Sequence, residues 1–180
     1  INAKSIFVHK DYECDCVMLI DDNLIFTELK SNGHPIFYGK YYQTICNITG
    51  DNSLIHDKKN KKMRSYVEQI NRCSSHYLEN IDVIIKEFDL PDSWQPQGVH
   101  KLIVTTSTLG GKYHLDDCFI IDKFSMTSFF HRAPGVVHDV KSGSNVDRIQ
   151  QSGYEFCDGS ITIEKFIGYL DTLPGINFTK

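Results

Sequence analysis

Three ionisable residues near the start of the chain, Asp15, Glu28 and Lys30, have the types and spacing to act together. They lie in Tyr12–Ser31, which reads as two apolar runs, Cys14–Ile20 and Leu24–Leu29, split by Asp21-Asp22-Asn23. Runs of this length with Asp/Asn punctuation predict a β-hairpin. Side chains alternate along a strand, so Asp15, Val17 and Leu19 share one face, as do Phe26, Glu28 and Lys30. A two-residue turn at Asp22-Asn23 pairs Ile20 with Ile25, Val17 with Glu28 and Asp15 with Lys30. Asp15 is then diagonal to Glu28, roughly 7 Å away before side chains bend. A turn one residue longer breaks the cluster unless a bulge restores it. Two carboxylates converging on one point can hold a hard divalent cation, with the ammonium beside them. The other face (Cys14, Cys16, Met18; Ile25, Thr27, Leu29) is apolar, which predicts a covered, central hairpin. Charges embedded there are costly unless paired or used.

The elements that must position these residues follow in order. Ile6-Phe7-Val8 predicts an edge strand ahead of the hairpin. Asn32-Gly33 and Pro35 mark a turn. Ile36–Ile48, aromatic and β-branched, predicts a third strand, although Tyr41–Ile45 also fits a helical turn. Residues 50–62 are polar and predict an exposed loop. From Arg64 to Phe88 apolar residues recur at helical spacing (Tyr66, Ile70, Cys73, Tyr77, Ile81, Ile84), and Leu90-Pro91 closes the helix. Ser65, Gln69, Arg72 and His76 form a polar row along one flank of it. His100–Thr106 is a strand, and a strand after a long helix implies a crossover to a parallel neighbour. Asp117–Asp122 predicts a further short strand, and Met126–Arg132 a helix capped by Ser125. Residues 135–159, richer in Gly, Ser, Asp and Gln, predict a linker. Ile161–Leu173 predicts an amphipathic helix between Ser160 and Pro174-Gly175. The division expected is a core over residues 1–134, then the linker and a C-terminal helical extension packed on it over 135–180.

With 180 residues, 41% of them hydrophobic, the chain can bury one sizeable core. No apolar run approaches a membrane span. The first residue is Ile1 rather than Met, which fits processing or a piece of a longer polypeptide. The formal net charge of -4 runs against a nucleic-acid binder, since phosphate contacts call for a basic surface. Basic charge is nonetheless concentrated at Lys58, Lys59, Lys61, Lys62 and Arg64. That run reads first as a solvated loop and second as a set of phosphate contacts. The cysteines Cys14, Cys16, Cys46, Cys73, Cys118 and Cys157 have no zinc-site spacing. Free thiols in a reducing cytoplasm are expected instead, with the Asn47 and Asn177 sequons unglycosylated. A GxSxG elbow and a Walker pattern are both absent. His114 with Asp116-Asp117 reads first as an exposed turn and second as a metal pair, and Phe37, Tyr38, Tyr41 and Tyr42 first as core rings and second as base-stacking rings.

An acid in one strand, Glu-x-Lys in the next and then a helix bearing a Gln resembles the PD-(D/E)xK nuclease superfamily, the restriction-endonuclease-like phosphodiesterases. The residues that carry the likeness are Asp15, Glu28-Leu29-Lys30 and, more weakly, Gln69. The order of hairpin, β-rich segment, long helix and parallel strand matches over about two-thirds of the chain. The resemblance implies an α/β fold, a restriction-endonuclease-like mixed central sheet flanked by helices. It implies Mg²⁺ (or Mn²⁺) held by Asp15, Glu28 and the Leu29 carbonyl, with Lys30 orienting the attacking water or stabilising charge near it. The implied activity is hydrolysis of nucleic acid, DNA in preference to RNA, with a homodimer if both strands of a duplex are cut. Two features depart from the family pattern. The family's helical acid has hardly any room ahead of Asp15, so that element either lies upstream of Ile1 or is missing, and Cys73 stands where several branches carry Tyr one turn after the Gln. The alternative is the same fold kept as an inactive binding module or interaction domain of a larger protein.

Overall fold

The opening runs become a hairpin whose turn sits one residue earlier than the spacing predicts. The computed structural model describes residues 2–7, 12–31, 38–50, 65–106, 112–132, 135–138, 149–152, 156, 158–173 and 175–176. Asn2–Phe7 forms β1, an edge strand, and the hairpin is β2 (Glu13–Ile20) and β3 (Asn23–Lys30). Its two-residue turn is Asp21-Asp22, both at positive φ (48° and 59°), the backbone of the tight hairpin turns that match strand twist. Asp tolerates that region better than most residues. Asn23 therefore joins β3 opposite Ile20 and turns its amide onto the Asp21 carbonyl. The turn is tied down on both sides. Trp94 Nε1 donates to the Asp22 carboxylate at 2.9 Å, and the Ile163 N–H donates to that of Asp21 at 2.8 Å.

Helix α1 (Tyr38–Thr49) stands where a third strand was expected. Strand propensity is overridden there by packing. Ile45 and Ile48, one helical turn apart, meet Val67 and Ile70, and the hydroxyls of Thr44 and Thr49 bond carbonyls four residues back. The long helix is divided into α2 (Tyr66–Glu79) and α3 (Ile81–Phe88). The break falls at Asn80, whose backbone leaves the helix (φ -120°, ψ 51°) while its side-chain amide bonds the His76 carbonyl. Ser65 is not a flank residue but the N-cap of α2, in a reciprocal capping box with Glu68.

The chain then crosses to β4 (Gly98–Thr105), followed by β5 (Lys112–Leu115), β6 (Cys118–Asp122) and α4 (Lys123–Phe130). Asp122, not Ser125, caps α4, accepting from the Ser125 N–H. The segment read as a linker contains β7 (Gly135–His138) and β8 (Ile149–Ser152), paired antiparallel in a small sheet of their own. Helix α5 (Ile163–Thr172), capped by Thr162 rather than Ser160, precedes the two-residue β9 (Gly175–Ile176). The central sheet is mixed, in the order β1-β2-β3-β4-β6-β5-β9. Strands β3, β4 and β6 run parallel, and the hairpins β1–β2–β3 and β5–β6 are antiparallel.

Period-two alternation divides the core in two. Leu24, Phe26, Ile103 and Ile120 pack beneath α1, α2 and α3. Ile25, Leu102, Val104 and Ile121 pack beneath α4 and α5, around Phe129, Phe166 and Leu170. The C-terminal helix thus belongs to the core of the sheet. Among the described residues no helix is long and apolar enough to cross a membrane.

The β5–β6 turn repeats the chemistry of the first. Asp116 and Asp117 both hold positive φ (48° and 58°). Gly fits the second position of such a turn without its Cβ penalty. Asp117→Gly is expected to stabilise the fold by about 0.5 kcal/mol, raising the thermal midpoint by roughly 1–2 °C. A lowered midpoint would mean that the Asp117 side chain has a role beyond the turn.

Candidate functional site

The three charges converge at the carboxyl end of β3, where open α/β sheets bind their ligands. They do so through a register other than the expected one. Cys16 pairs with Thr27 and Val17 with Phe26, so continuing the ladder sets Asp15 opposite Glu28 rather than Lys30. Strand β2 is also irregular at this point. Lys4 pairs with Val17 but Ile6 with Cys14, an extra residue in β2 beside Asp15. Such a bulge re-aims side chains. Cys14 accordingly packs on the Val17 and Phe26 side, not on the opposite face. Asp15 reaches across to accept the Leu29 N–H at 2.7 Å, which brings the Leu29 backbone to the site.

Glu28 is the centre of the arrangement. It is 1% exposed, in a strand whose buried side chains include Leu24, Ile25 and Phe26. Its Oε2 accepts from Lys30 Nζ at 2.8 Å and from Gln69 Nε2 at 3.1 Å, while Lys30 Nζ also donates to Gln69 Oε1 at 3.0 Å. Glu28, Lys30 and Gln69 thus form a closed ring of hydrogen bonds between β3 and α2. The other oxygen, Oε1, is buried and receives no N–H or O–H, while the Asp15 carboxylate lies within side-chain hydrogen-bond reach of Glu28, close enough to share a proton with it. Burial pushes the Glu28 carboxyl up from its ordinary range; contact with Lys30 pulls it back, and the neighbouring Asp15 carboxylate raises it again. Two carboxylates this near repel unless a proton or a cation is shared between them.

Side chains around the ring fix its geometry. The Tyr66 ring lies under the Lys30 ammonium, 5.0 Å from ring centre to Nζ. Tyr66 is three residues before Gln69 and so on the same helix face, a spacing visible in the sequence although the residue read as core. Cys73 Sγ donates to the Glu13 carbonyl at 3.1 Å and Tyr77 Oη to that of Tyr12 at 2.9 Å, which pins the start of β2 to α2. Burial and the charge of Glu28 raise the Cys73 thiol to about 11, and burial raises Cys14 to about 12. Both stay protonated at neutral pH, walls of the site rather than ligands. Cys14, Cys16, Cys46, Cys73 and Cys118 are all free.

The oxygens of this donor set would suit a hard cation. Glu28 and Asp15 supply oxygens, and one of the Glu28 oxygens is left unsatisfied where burial makes that costly. Among the described residues no group of three or more His, Cys, Asp and Glu side chains could hold a metal, so Asp15 and Glu28 would need backbone and water oxygens to complete a shell. Mg²⁺ characteristically retains such waters. The structure therefore brings together Asp15, Glu28, Leu29, Lys30 and Gln69. Lys58, Lys59, Lys61, Lys62 and Arg64 lie outside the described residues. No family model, curated protein or solved structure matches the chain.

Proposed function

We propose that the chain is a divalent-cation-dependent nuclease of the PD-(D/E)xK type, hydrolysing phosphodiester bonds in DNA in preference to RNA. One observation carries the reading. Glu28 gives one oxygen to Lys30 and Gln69 and keeps the other buried and unbonded beside Asp15. An ion pair that served only structure would gain nothing from that orphaned oxygen. The order of hairpin, crossover helix and parallel strand also agrees with the restriction-endonuclease-like core, although α1 stands where the resemblance expects a β-rich segment.

In this mechanism Asp15, Glu28 Oε1 and, by the resemblance, the Leu29 carbonyl would hold Mg²⁺ or Mn²⁺. The cation, when bound, neutralises charge on the reacting phosphate and lowers the pKa of a water. The ammonium of Lys30 is held by Glu28, Gln69 and the Tyr66 ring, so it presents its remaining donor capacity in one direction. There it orients the attacking water or stabilises charge on a phosphate oxygen. Gln69 positions Lys30 and Glu28 against each other. The buried surroundings strengthen each of these interactions.

Titrating Mn²⁺ into the protein by calorimetry tests the reading. One saturable binding event is expected, absent in Asp15→Asn, together with DNA cleavage in Mn²⁺ that stops in EDTA. The second reading, a nuclease fold kept as a binding module, draws on the net charge of -4. It calls for no heat of Mn²⁺ binding and no cleavage.

A further inference from the structure

A second concavity shares a wall with the site. It opens at the carboxyl ends of β3 and β4, on the α4 side of the sheet, with a volume of about 400 Å³. Lys30 lies between it and the carboxylates, lining one and bonded to the other. Its floor and sides are apolar, from Leu29, Val104 and Met126, and its rim carries Lys123, Ser31 and Thr127. Leu29 is 54% exposed, unusual for a large apolar side chain in a central strand. Phe124, the residue after Lys123, is 75% exposed, the most open of the large hydrophobic side chains described. Among the described residues Lys123 has no acid paired with it.

We infer that this groove takes the nucleotide next to the scissile phosphodiester, so that the substrate is DNA with an unpaired nucleotide, as in a single strand or frayed end. The inference rests on the nuclease reading. Its support is chemical complementarity. A nucleoside offers an apolar face and polar edges, which match an apolar floor with hydroxyls at the rim, and its phosphate matches Lys123. The volume lies in the range of about 300–1,000 Å³ usual for small-ligand sites, suited to one nucleoside and not to a stacked base pair. Phe124 stands outside the groove's lining, one residue beyond Lys123 on α4, and offers an exposed ring on which a neighbouring unpaired base could stack, since every base has a stacking face. A nucleotide within a duplex would first have to leave its stack, and unpaired DNA avoids that cost.

Fluorescence anisotropy in EDTA, where no cleavage occurs, tests this on the full chain with a short labelled DNA strand and its duplex. The single strand is expected to bind about tenfold more tightly than the duplex. Phe124→Ala and Lys123→Ala should each weaken single-strand binding about fivefold to tenfold. Both substitutions are at exposed positions and should leave the thermal midpoint and the heat of Mn²⁺ binding as in the parent. Equal affinity for strand and duplex, or unchanged binding by both variants, overturns the groove assignment. Mn²⁺ heat separates that failure from failure of the nuclease reading. A parent with no Mn²⁺ heat that still prefers single strands has lost the nuclease reading and kept the groove.

Discussion

Glu28→Ala is expected to reduce Mg²⁺- or Mn²⁺-dependent DNA cleavage by at least about 10³-fold, roughly 4 kcal/mol of transition-state stabilisation. The substitution removes a proposed cation ligand and one of the three groups that hold Lys30. Lys30→Ala should cost a similar factor by a different route. Both carboxylates remain, so Mn²⁺ should still bind by calorimetry while cleavage is lost. Gln69→Ala should cost less, about tenfold, because Lys30 keeps its contacts with Glu28 and the Tyr66 ring. Single-turnover cleavage of a labelled strand distinguishes these levels. If the Glu28 and Lys30 variants cut as fast as the parent, the site lies elsewhere and the hairpin charges are structural.

Why Asp15, Glu28 and Lys30 were legible in the sequence has a physical reason. Charges within apolar strand runs stand out because burial penalises them, and that penalty does not depend on knowing the register. The predicted register was off by two residues: the expected pairs sum to 45 and the observed pairs to 43. A shift of two preserves the faces, so the cluster survived the error while the identity of the opposing residues did not. Choosing between Asp21-Asp22 and Asp22-Asn23 as the turn needs more than local preference, since both pairs tolerate positive φ. The contacts that select the former, from Trp94 and from the N–H of Ile163, come from distant parts of the chain. Helix α1 was hidden for the same kind of reason. Its side chains have strand propensity, which packing against α2 overrides. Asn80 could have been flagged as a break within the long helix, since Asn competes for backbone carbonyls, but the apolar stripe continues through it. The bulge that turns Cys14 inward leaves no pattern in the sequence, because it is a property of the β1–β2 ladder.

Glu28→Gln is expected to make the metal-free protein more stable at neutral pH even as it removes activity. In the parent a carboxylate is buried with Oε1 unbonded, and burial holds its pKa above the ordinary 4.5. A carboxyl whose folded pKa is raised binds its proton more tightly in the fold than in the unfolded chain. Its contribution to stability is therefore full below the unfolded pKa and is lost as pH rises through the folded one. Gln carries no such proton. It can keep the bonds from Lys30 and Gln69 on its carbonyl oxygen and turn its amide toward Asp15, relieving the like-charge pair. The gain at pH 7 should be about 1–2 kcal/mol, a rise of roughly 4 °C in the midpoint in EDTA, shrinking as the pH falls toward 4. Mn²⁺ should reverse the order. At a hundred times its Kd it should stabilise the parent by about 2.7 kcal/mol and the variant hardly at all. Thermal melts of both proteins across pH, in EDTA and in Mn²⁺, measure the four quantities. A Gln variant that melts below the parent in EDTA at every pH would show that Glu28 is held there as a structural ion pair, and that its unbonded oxygen is not kept for a cation.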